Sequence, residues 1–170
     1  DYTEVARTPY WERERVKDVS AQNDSLAMNR YRLIWDDVVY QPGEVKVIAY
    51  DEAGNKAGEL ARVTAGEAHH IVLTPDRQEI TADGNDLVYV TVEVADKNGN
   101  FVPDDTRMVD FKVSGSAEFL ATANGDPTCL LSFDAPRMKL FSGAATAILR
   151  AAPTPGKATL TVTAPGVRPA

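Results

Sequence analysis

Apolar and polar residues alternate along many short stretches of the chain, and this period of two is the pattern of a β-strand with one buried face. The alternation is clearest in "LVYVTVEVAD", where four valines share one face, namely Val88, Val90, Val92 and Val94. Further strand candidates, separated by turn residues, are "HHIVLTP", "QEITAD", "MVDFKVSG", "EFLATA", "AATAILRAA" and "KATLTVTAP". About seven short strands over about 100 residues predict an all-β fold of the immunoglobulin-like β-sandwich type.

The first part of the chain has a weaker pattern. Residues 1–28 have mixed charge and no sustained apolar stripe, and residues 12–19 fit either one short helical turn or irregular structure. Next, "YRLIWDDVVY" and "EVKVIAYD" alternate on either side of "QPGE", which predicts a β-hairpin, and the glycines of "DEAGNKAGE" close this unit. We therefore expect a partial, truncated small β-domain over residues 1–65 and an immunoglobulin-like domain over residues 66–170.

Charge and composition exclude several classes of partner. The 170 residues carry a formal net charge of −7 with a pI near 4.8, without the clustered Lys and Arg that a nucleic-acid partner requires. No apolar run approaches the roughly 20 residues of a membrane span, so no membrane partner is expected. Cys129 is the single cysteine, which excludes an internal disulfide and a cysteine-rich zinc site. Because the chain begins without Met inside a charged stretch, we expect it to be a piece of a longer protein.

The adjacent pair His69 and His70 is the first candidate for a metal site. In a strand, neighbouring side chains point to opposite faces, so we expect the two imidazoles not to share one ion. A zinc site also needs three or four ligands, and the sequence has no HExxH pattern or Cys/His cluster. We therefore predict neither a metal site nor a cofactor.

Paired carboxylates, Asp36 with Asp37 and Asp104 with Asp105, suggest acid–base catalysis. A glycosidase pair must flank a cleft with about 5–10 Å between the two carboxyl groups. The acids of "VPDDT", "ADGND" and "DKNGN" instead fall in turn-like segments beside Pro and Gly, where carboxylates bond the backbone of the turn. Their spacing also differs from that of a calcium loop. We expect turn formation and predict no catalytic residue.

The segment "ANGDPT" has two interpretations. It contains Asn124, Gly125, Asp126 and Pro127. The Asn and Asp side-chain oxygens can coordinate a metal ion or hydrogen-bond a sugar, whereas Gly and Pro are residues typical of turns. The sequence pattern alone leaves both interpretations open.

Three aromatic residues are candidates for stacking on a sugar ring, because such side chains combine apolar area with a polar edge. They are Trp11, Trp35 and Tyr89. Aromatic residues crowd the first 50 positions, and packing in a core or between domains is the favoured alternative for that group.

Longer segments resemble the bacterial family-two glycoside hydrolases of the β-galactosidase type. The run "YRLIWDDVVYQPGEVKVIAYDEAGNKAGE" is similar to the second half of the small β-domain that follows their catalytic barrel. The rest is similar to their terminal immunoglobulin-like domain, through "LTPDRQEITADGNDLVYVTVEVADKNGNFVPD", "VDFKVSG" and "NGDPTCLLSFDAPRMKLFSGAATAIL". The resemblance runs from about residue 30 to residue 166, but the "E-L-F-x-N-G" type of segment that opens the first domain is missing.

The resemblance implies a non-catalytic C-terminal region of a retaining β-galactosidase-like enzyme, whose partner is the catalytic barrel of the same polypeptide. The family's catalytic glutamates lie on that barrel, and no residue here matches their motifs. A periplasmic or secreted bacterial location is also implied. Two alternatives are a carbohydrate-binding module that tethers the enzyme to a glycan, and an adhesion repeat of a bacterial surface protein.

The resemblance also implies a role for the "NGDPT" segment, which is similar to a recurrent turn of the family. It precedes a long connection, "SFDAPRMKLFSG". We expect Asn124 and Asp126 to hydrogen-bond backbone groups of this connection, which fixes a loop that is otherwise costly to order. In the connection itself, we expect three residues to cover the edge of the core, namely Phe133, Pro136 and Phe141.

Overall fold

The computed structural model describes residues 2–4 and 38–170. The chain divides into two compact units, Asp1–Thr64 and Ala65–Ala170. Regular structure in the described residues is β-strand throughout, which confirms the predicted all-β fold. Over these same residues, no helix has the length and apolar character needed to cross a membrane.

The first unit contains a three-stranded sheet. Strand β1 (Tyr2–Glu4) pairs parallel with β2 (Glu44–Tyr50), and β2 pairs antiparallel with β3 (Lys56–Val63). The turn between β2 and β3 is held by the Asp51 carboxylate, which accepts hydrogen bonds from the backbone and side-chain N–H groups of Asn55 at 2.7 and 3.2 Å. This Asp–Asn pair closes the tight turn, so β2 pairs antiparallel with β3, the segment that follows the turn.

The predicted hairpin between residues 31–40 and 44–51 is therefore wrong at residues 38–40, which are not in a strand. The predicted closing turn at residues 51–59 ends early, because β3 begins at Lys56. Residues 31–37 and the segment 12–19 lie outside the described residues.

The second unit is a sandwich of two antiparallel sheets. The four-stranded sheet has the strand order β4-β5-β9-β7, and the three-stranded sheet has the order β10-β6-β8. The strands in chain order are β4 (Ala68–Pro75), β5 (Leu87–Asp96), β6 (Met108–Gly115), β7 (Ala117–Ala123), β8 (Arg137–Lys139), β9 (Ala144–Ala151) and β10 (Ala158–Thr163).

Side chains from both sheets form one buried cluster. On β5 the four valines at alternate positions are all buried, whereas Tyr89 and Thr91 on the opposite face are exposed, as the alternation predicts. The three-stranded sheet contributes Val109, Met138 and Val162, which have no exposed surface. Burial of such side chains removes apolar surface from water and is the main source of stability for the fold.

Two local predictions about the second unit are wrong. The segment "QEITAD" forms a loop, because its Thr81 N–H donates to the Asp86 carboxylate at 2.7 Å and not to a neighbouring strand. The residues expected to cover the core edge, Phe133, Pro136 and Phe141, are exposed. The buried residues in this part of the chain are instead Met138 in β8 and Leu140 directly after it.

Irregular segments connect the two sheets on both sides of the sandwich. We call residues 124–136 the crossing loop; its Phe133 carbonyl accepts from Thr122 N–H of β7 at 2.7 Å before the chain enters β8. We call residues 164–170 the C-terminal strap. The Arg168 N–H donates to the His69 carbonyl of β4 at 3.0 Å, and the Ala170 N–H donates to Val162 of β10 at 3.1 Å. The strap thus holds edge strands of different sheets together.

Candidate functional site

The turn after β7 contains the residues that the sequence singles out for ligand binding or turn formation. The Asn124 side-chain oxygen accepts a hydrogen bond from the Asp126 N–H at 3.0 Å, while its side-chain nitrogen donates to the Lys139 carbonyl at 2.8 Å. Gly125 lies between them with a φ of 76°, a left-handed conformation that glycine adopts without strain. Asn124 therefore both forms the turn and ties it to β8.

Asp126 bonds within its own turn. Its Oδ1 accepts from the hydroxyl and the backbone N–H of Thr128 at 2.7 and 2.8 Å. The Thr128 hydroxyl is the main cause that lowers the pKa of Asp126, and the positive charge of Lys139 acts in the same direction. The Asp126 side chain is thus not bonded to the long connection that follows, where we expected its partner.

The polar side chains of this turn have protein partners. Asn124, Asp126 and Thr128 satisfy one another or the backbone, which is the arrangement of an Asx turn. The apolar residue Leu130, which follows two positions later, is 99% exposed. The geometry fits the turn interpretation better than a ligand site.

A second carboxylate, Asp96, organises the start of the sandwich. It is 1% exposed, and its two oxygens accept from the backbone N–H groups of Gly66, Asn98 and Asn100 and from the Asn100 side chain at 2.8–3.0 Å. The bond from Gly66, followed by that from the Asn100 side chain, holds the pKa of Asp96 well below its usual range. The motif "DKNGN" carries the local part of this signal, but no sequence pattern indicates the bond to Gly66.

Asp104 and Asp105 do not form a catalytic pair. Asp105 is buried and makes a bidentate ion pair with Arg107, whose Nη2 lies 2.7 Å from Oδ2, while Asp104 is exposed. Arg107 also donates through Nη1 to the Pro165 carbonyl of the strap at 2.7 Å. This arginine was not recognised in the sequence, because its partner in the strap is 58 residues away. The other acidic pair, Asp36 and Asp37, lies outside the described residues.

The expectation that His69 and His70 point to opposite faces is wrong. The register of β4 on β5 shifts between Ala68 and His70, so His69 is the extra residue of a β-bulge. The bulge turns the two rings toward each other, with 3.2 Å between their Nδ1 atoms and an edge-to-face geometry. Over the described part of the chain, no three His, Cys, Asp or Glu side chains are close enough together to bind a metal ion.

The aromatic candidates are only partly described. Tyr89 lies on the outer face of β5 and is 45% exposed. Its backbone N–H donates to the Asp76 carboxylate at 2.9 Å. Among the described residues its ring stacks on no other ring. Trp11 and Trp35 lie outside the described residues.

Comparison with known families identifies the second unit. The family "Glycoside hydrolase family 2 C-terminal domain 5" matches residues 71–170, and a domain of unknown function matches residues 14–58. A β-galactosidase of Bacteroides ovatus, BoGH2A, is 43% identical over 133 residues, which are 78% of this chain and 16% of that protein. A β-galactosidase of Thermoanaerobacter pseudethanolicus is 37% identical over 65 residues, which are 36% of this chain and 9% of that protein.

Solved structures give the same result. A glycosyl hydrolase family 2 member from Bacteroides cellulosilyticus superposes with a TM-score of 0.77 at 30% identity, covering 85% of this chain and 20% of that chain. A β-glycosidase from Bacteroides vulgatus superposes with a TM-score of 0.74 at 25% identity, covering 78% of this chain and 17% of that chain.

The chain thus spans a small part of the length of the relatives it matches, between 9% and 20% in these four proteins. Its matched region makes up 100 of its 170 residues, since the family match runs from 71 to 170. The resemblance seen in the sequence is confirmed, and the chain belongs to glycoside hydrolase family 2, of which it is a C-terminal domain region.

Proposed function

We propose that this chain is a non-catalytic C-terminal region of a β-galactosidase-like hydrolase and that it supports the catalytic barrel of the same polypeptide. The relatives support this reading, because the chain corresponds to only 16% of the Bacteroides ovatus β-galactosidase. The proposal also places the enzyme in the periplasm or outside a bacterial cell. Cell fractionation followed by detection of the protein tests that location.

The observation that carries the proposal is how the buried carboxylates are used. Asp96 accepts four hydrogen bonds from Gly66, Asn98 and Asn100, and Asp105 is paired with Arg107. A retaining glycosidase needs two carboxyl groups about 5–5.5 Å apart, one of which protonates the leaving group. A carboxyl whose pKa is held low, as that of Asp96 is, stays ionised and is a poor proton donor. These acids are therefore suited to holding loops in place.

A support role agrees with the way the loops are fastened. The crossing loop is bonded to β7 and β8, and the C-terminal strap is bonded to β4 and β10. Loops fixed by such bonds present a constant surface, because their ordering is completed when the domain folds. A constant surface is what a neighbouring domain requires for packing.

Hydrolysis of a nitrophenyl β-galactoside tests the absence of catalysis. The purified chain should give no turnover above the blank, whereas the intact hydrolase should be active. Removal of residues 38–170 from the intact hydrolase should lower its melting temperature. Turnover by the isolated chain, or a deletion that changes neither stability nor activity, would contradict the proposal.

Glycan binding is the outcome that would replace the support role. Tyr89 is the candidate for this among the described residues, since it is 45% exposed on the outer face of β5. Titration of the chain with galactans, followed by tryptophan and tyrosine fluorescence, measures it. Saturable binding that is lost in Tyr89→Ala and kept in Thr91→Ala, a change on the same face, would show a targeting module.

A further inference from the structure

The sequence contains two Asn-Gly steps, and both lie in turns of the second unit. Asn98-Gly99 lies in the turn after β5, and Asn124-Gly125 lies in the turn after β7. Both glycines have a left-handed backbone, with φ of 86° and 76°, and a Cβ added to either would meet no described atom within 4 Å. The two steps therefore share their residues and their backbone type, and they differ in how their hydrogen-bonding groups are held.

An Asn-Gly step can deamidate, because glycine has no side chain to hinder the approach of its own nitrogen to the preceding side chain. The backbone nitrogen of the glycine forms a bond to Cγ of the asparagine and gives up its proton. The bond from Cγ to Nδ2 breaks, and ammonia leaves from the resulting succinimide ring. Water then opens the ring at either of its carbonyl carbons, which gives aspartate or isoaspartate. The net reaction consumes water, releases ammonia and needs no oxidant or reductant.

The side chain of Asn98 is free to take part in this reaction. The residue is exposed, and its side-chain amide makes no hydrogen bond to any of the described residues. The nitrogen that must react, that of Gly99, donates to the Asp96 carbonyl at 3.2 Å. This is a long bond in an exposed turn, and local fluctuation of the turn releases it. The Asn98 side chain can then rotate its Cγ onto the Gly99 nitrogen.

The side chain of Asn124 is held at both of its polar atoms. Its Oδ1 accepts from the Asp126 N–H at 3.0 Å, and its Nδ2 donates to the Lys139 carbonyl at 2.8 Å. The nitrogen that would leave as ammonia is thus bonded to β8. Rotation of Cγ onto the Gly125 nitrogen requires that this bond is broken. The residue is also half-buried, whereas Asn98 is exposed.

We propose that Asn98 is a site of spontaneous deamidation and that Asn124 is protected from the same reaction by its bonds to the fold. Water is the reactant, so the modified fraction grows with the age of the folded protein. Each converted molecule carries one more negative charge in the turn after β5.

Conversion of Asn98 to isoaspartate loosens the start of the sandwich. Oδ1 of Asp96 accepts from the N–H groups of Asn98 and Asn100 at 2.8 and 2.9 Å. Isoaspartate adds one carbon to the backbone between these two N–H groups, so one oxygen no longer holds both in the same geometry. The new carboxylate also places a negative charge near that of Asp96, which is 1% exposed. The same Asp96 side chain holds Gly66, so its displacement weakens that bond.

The site is tested by incubating the folded protein at mildly alkaline pH and following both asparagines by mass spectrometry after digestion. Asn98 should convert about fivefold to tenfold faster than Asn124, which is the effect of about one more hydrogen bond to be broken. In urea, where the fold is lost, the two rates should become similar because both steps are Asn-Gly. Equal rates in the folded protein, or a difference of the same size in urea, would overturn the proposal.

The effect on the fold is tested on converted protein, which anion exchange separates through its additional charge. Its melting temperature should be lower by a few degrees, and its Gly66 amide should exchange faster, while the Thr122 amide is the control in β7.

Two variants separate the causes. Asn98→Asp adds the charge without the additional carbon and should be less destabilised than the isoaspartate form. Asn98→Gln should keep its melting temperature on incubation, because attack on its longer side chain needs a larger ring. Isoaspartate at position 98 with an unchanged melting temperature would contradict the proposed loosening.

Discussion

The backbone N–H of Gly66 donates to Oδ2 of Asp96 over 2.8 Å, although the two residues are 30 positions apart. Gly66 precedes the first strand of the sandwich, and Asp96 ends the second strand, so this bond fastens the entry of the domain to the turn after β5. The same carboxylate holds Asn98 and Asn100 in that turn. One side chain therefore fixes two segments of the domain.

Replacement of Asp96 by Ala should lower the melting temperature by roughly 5–10 °C, because three backbone N–H groups lose their acceptor. Asp96→Asn keeps one acceptor oxygen and should fall between the wild type and the Ala variant. Thermal unfolding followed by circular dichroism measures this order. Equal melting temperatures for the wild type and Asp96→Ala would show that the contacts do not stabilise the fold.

Acid should destabilise the protein through its hydrogen-bonded carboxylates. The pKa values of Asp83, Asp86, Asp96 and Asp126 all lie below the ordinary value, so the unfolded state binds more protons than the folded state in acid. Their contribution is complete above the unfolded pKa and is lost as the pH falls below about 4. Urea unfolding at pH 3 and pH 5 tests this, and a stability that does not fall at pH 3 would contradict it.

Two glycines with the same backbone conformation should respond differently to substitution. Gly125 and Gly143 both have a φ of 76°. A Cβ added at Gly143 would lie 2.2 Å from the Val102 carbonyl oxygen, whereas a Cβ added at Gly125 would have no surrounding atom within 4 Å. Gly125→Ala should cost about 1 kcal/mol for the backbone alone. Gly143→Ala should cost about 2–4 kcal/mol, because the clash adds to that strain. Chemical denaturation gives both values, and equal losses would contradict the predicted clash.

The buried methionine of β8 should matter more than the aromatic residue before it. Met138 has no exposed surface, so Met138→Ala should cost about 2–5 kcal/mol of unfolding free energy through lost burial and a cavity. Phe133 is 59% exposed, and Phe133→Ala should cost less than about 1 kcal/mol. The two variants are compared by urea unfolding. The reverse order would restore the expectation that the aromatic residue covers the core.

The turn interpretation of the "NGDPT" segment predicts that Asp126→Ala lowers the melting temperature by a few degrees, about what a lost turn bond produces. Thr128→Val removes the hydroxyl but keeps the backbone N–H that also bonds Asp126, so it should have a smaller effect. Differential scanning calorimetry distinguishes the two. An unchanged melting temperature in Asp126→Ala would count against a structural role.

The sandwich is predictable from the sequence because its strands are long enough to show their period. In β5, more buried and more exposed residues alternate from Leu87 to Val94, and the buried face is recognisable without knowledge of its neighbours. Strand β8 has three residues, too few for a period to appear, so its inward Met138 was passed over in favour of nearby phenylalanines. Strand length is what limits this kind of prediction.

The candidate site was predictable where turn residues bond one another, and the expected bond from Asn124 to a backbone group of the following connection is present at the Lys139 carbonyl. Asn124, Asp126 and Thr128 interact within a few positions, and their residue types are those of turns. The bulge at His69 has no such signal, because it is defined by the register of β4 against β5, and the partners Gly66 and Arg168 come from distant segments. The positions of these side chains depend on strand register and on contacts between distant segments, which a local sequence pattern does not show.

The strap has a consequence for how the domain is made. His69 and Arg168, which it brings together, are 99 residues apart, so closure of the sandwich requires pairing between almost the first and almost the last positions of the second unit. Contacts of such long sequence separation slow folding, because a large loop must be closed before they form. During synthesis β4 is made early, but the edge of β4 that bonds the strap has no partner until the strap has been made. Folding of the domain can therefore be complete only once residues 164–170 have been synthesised.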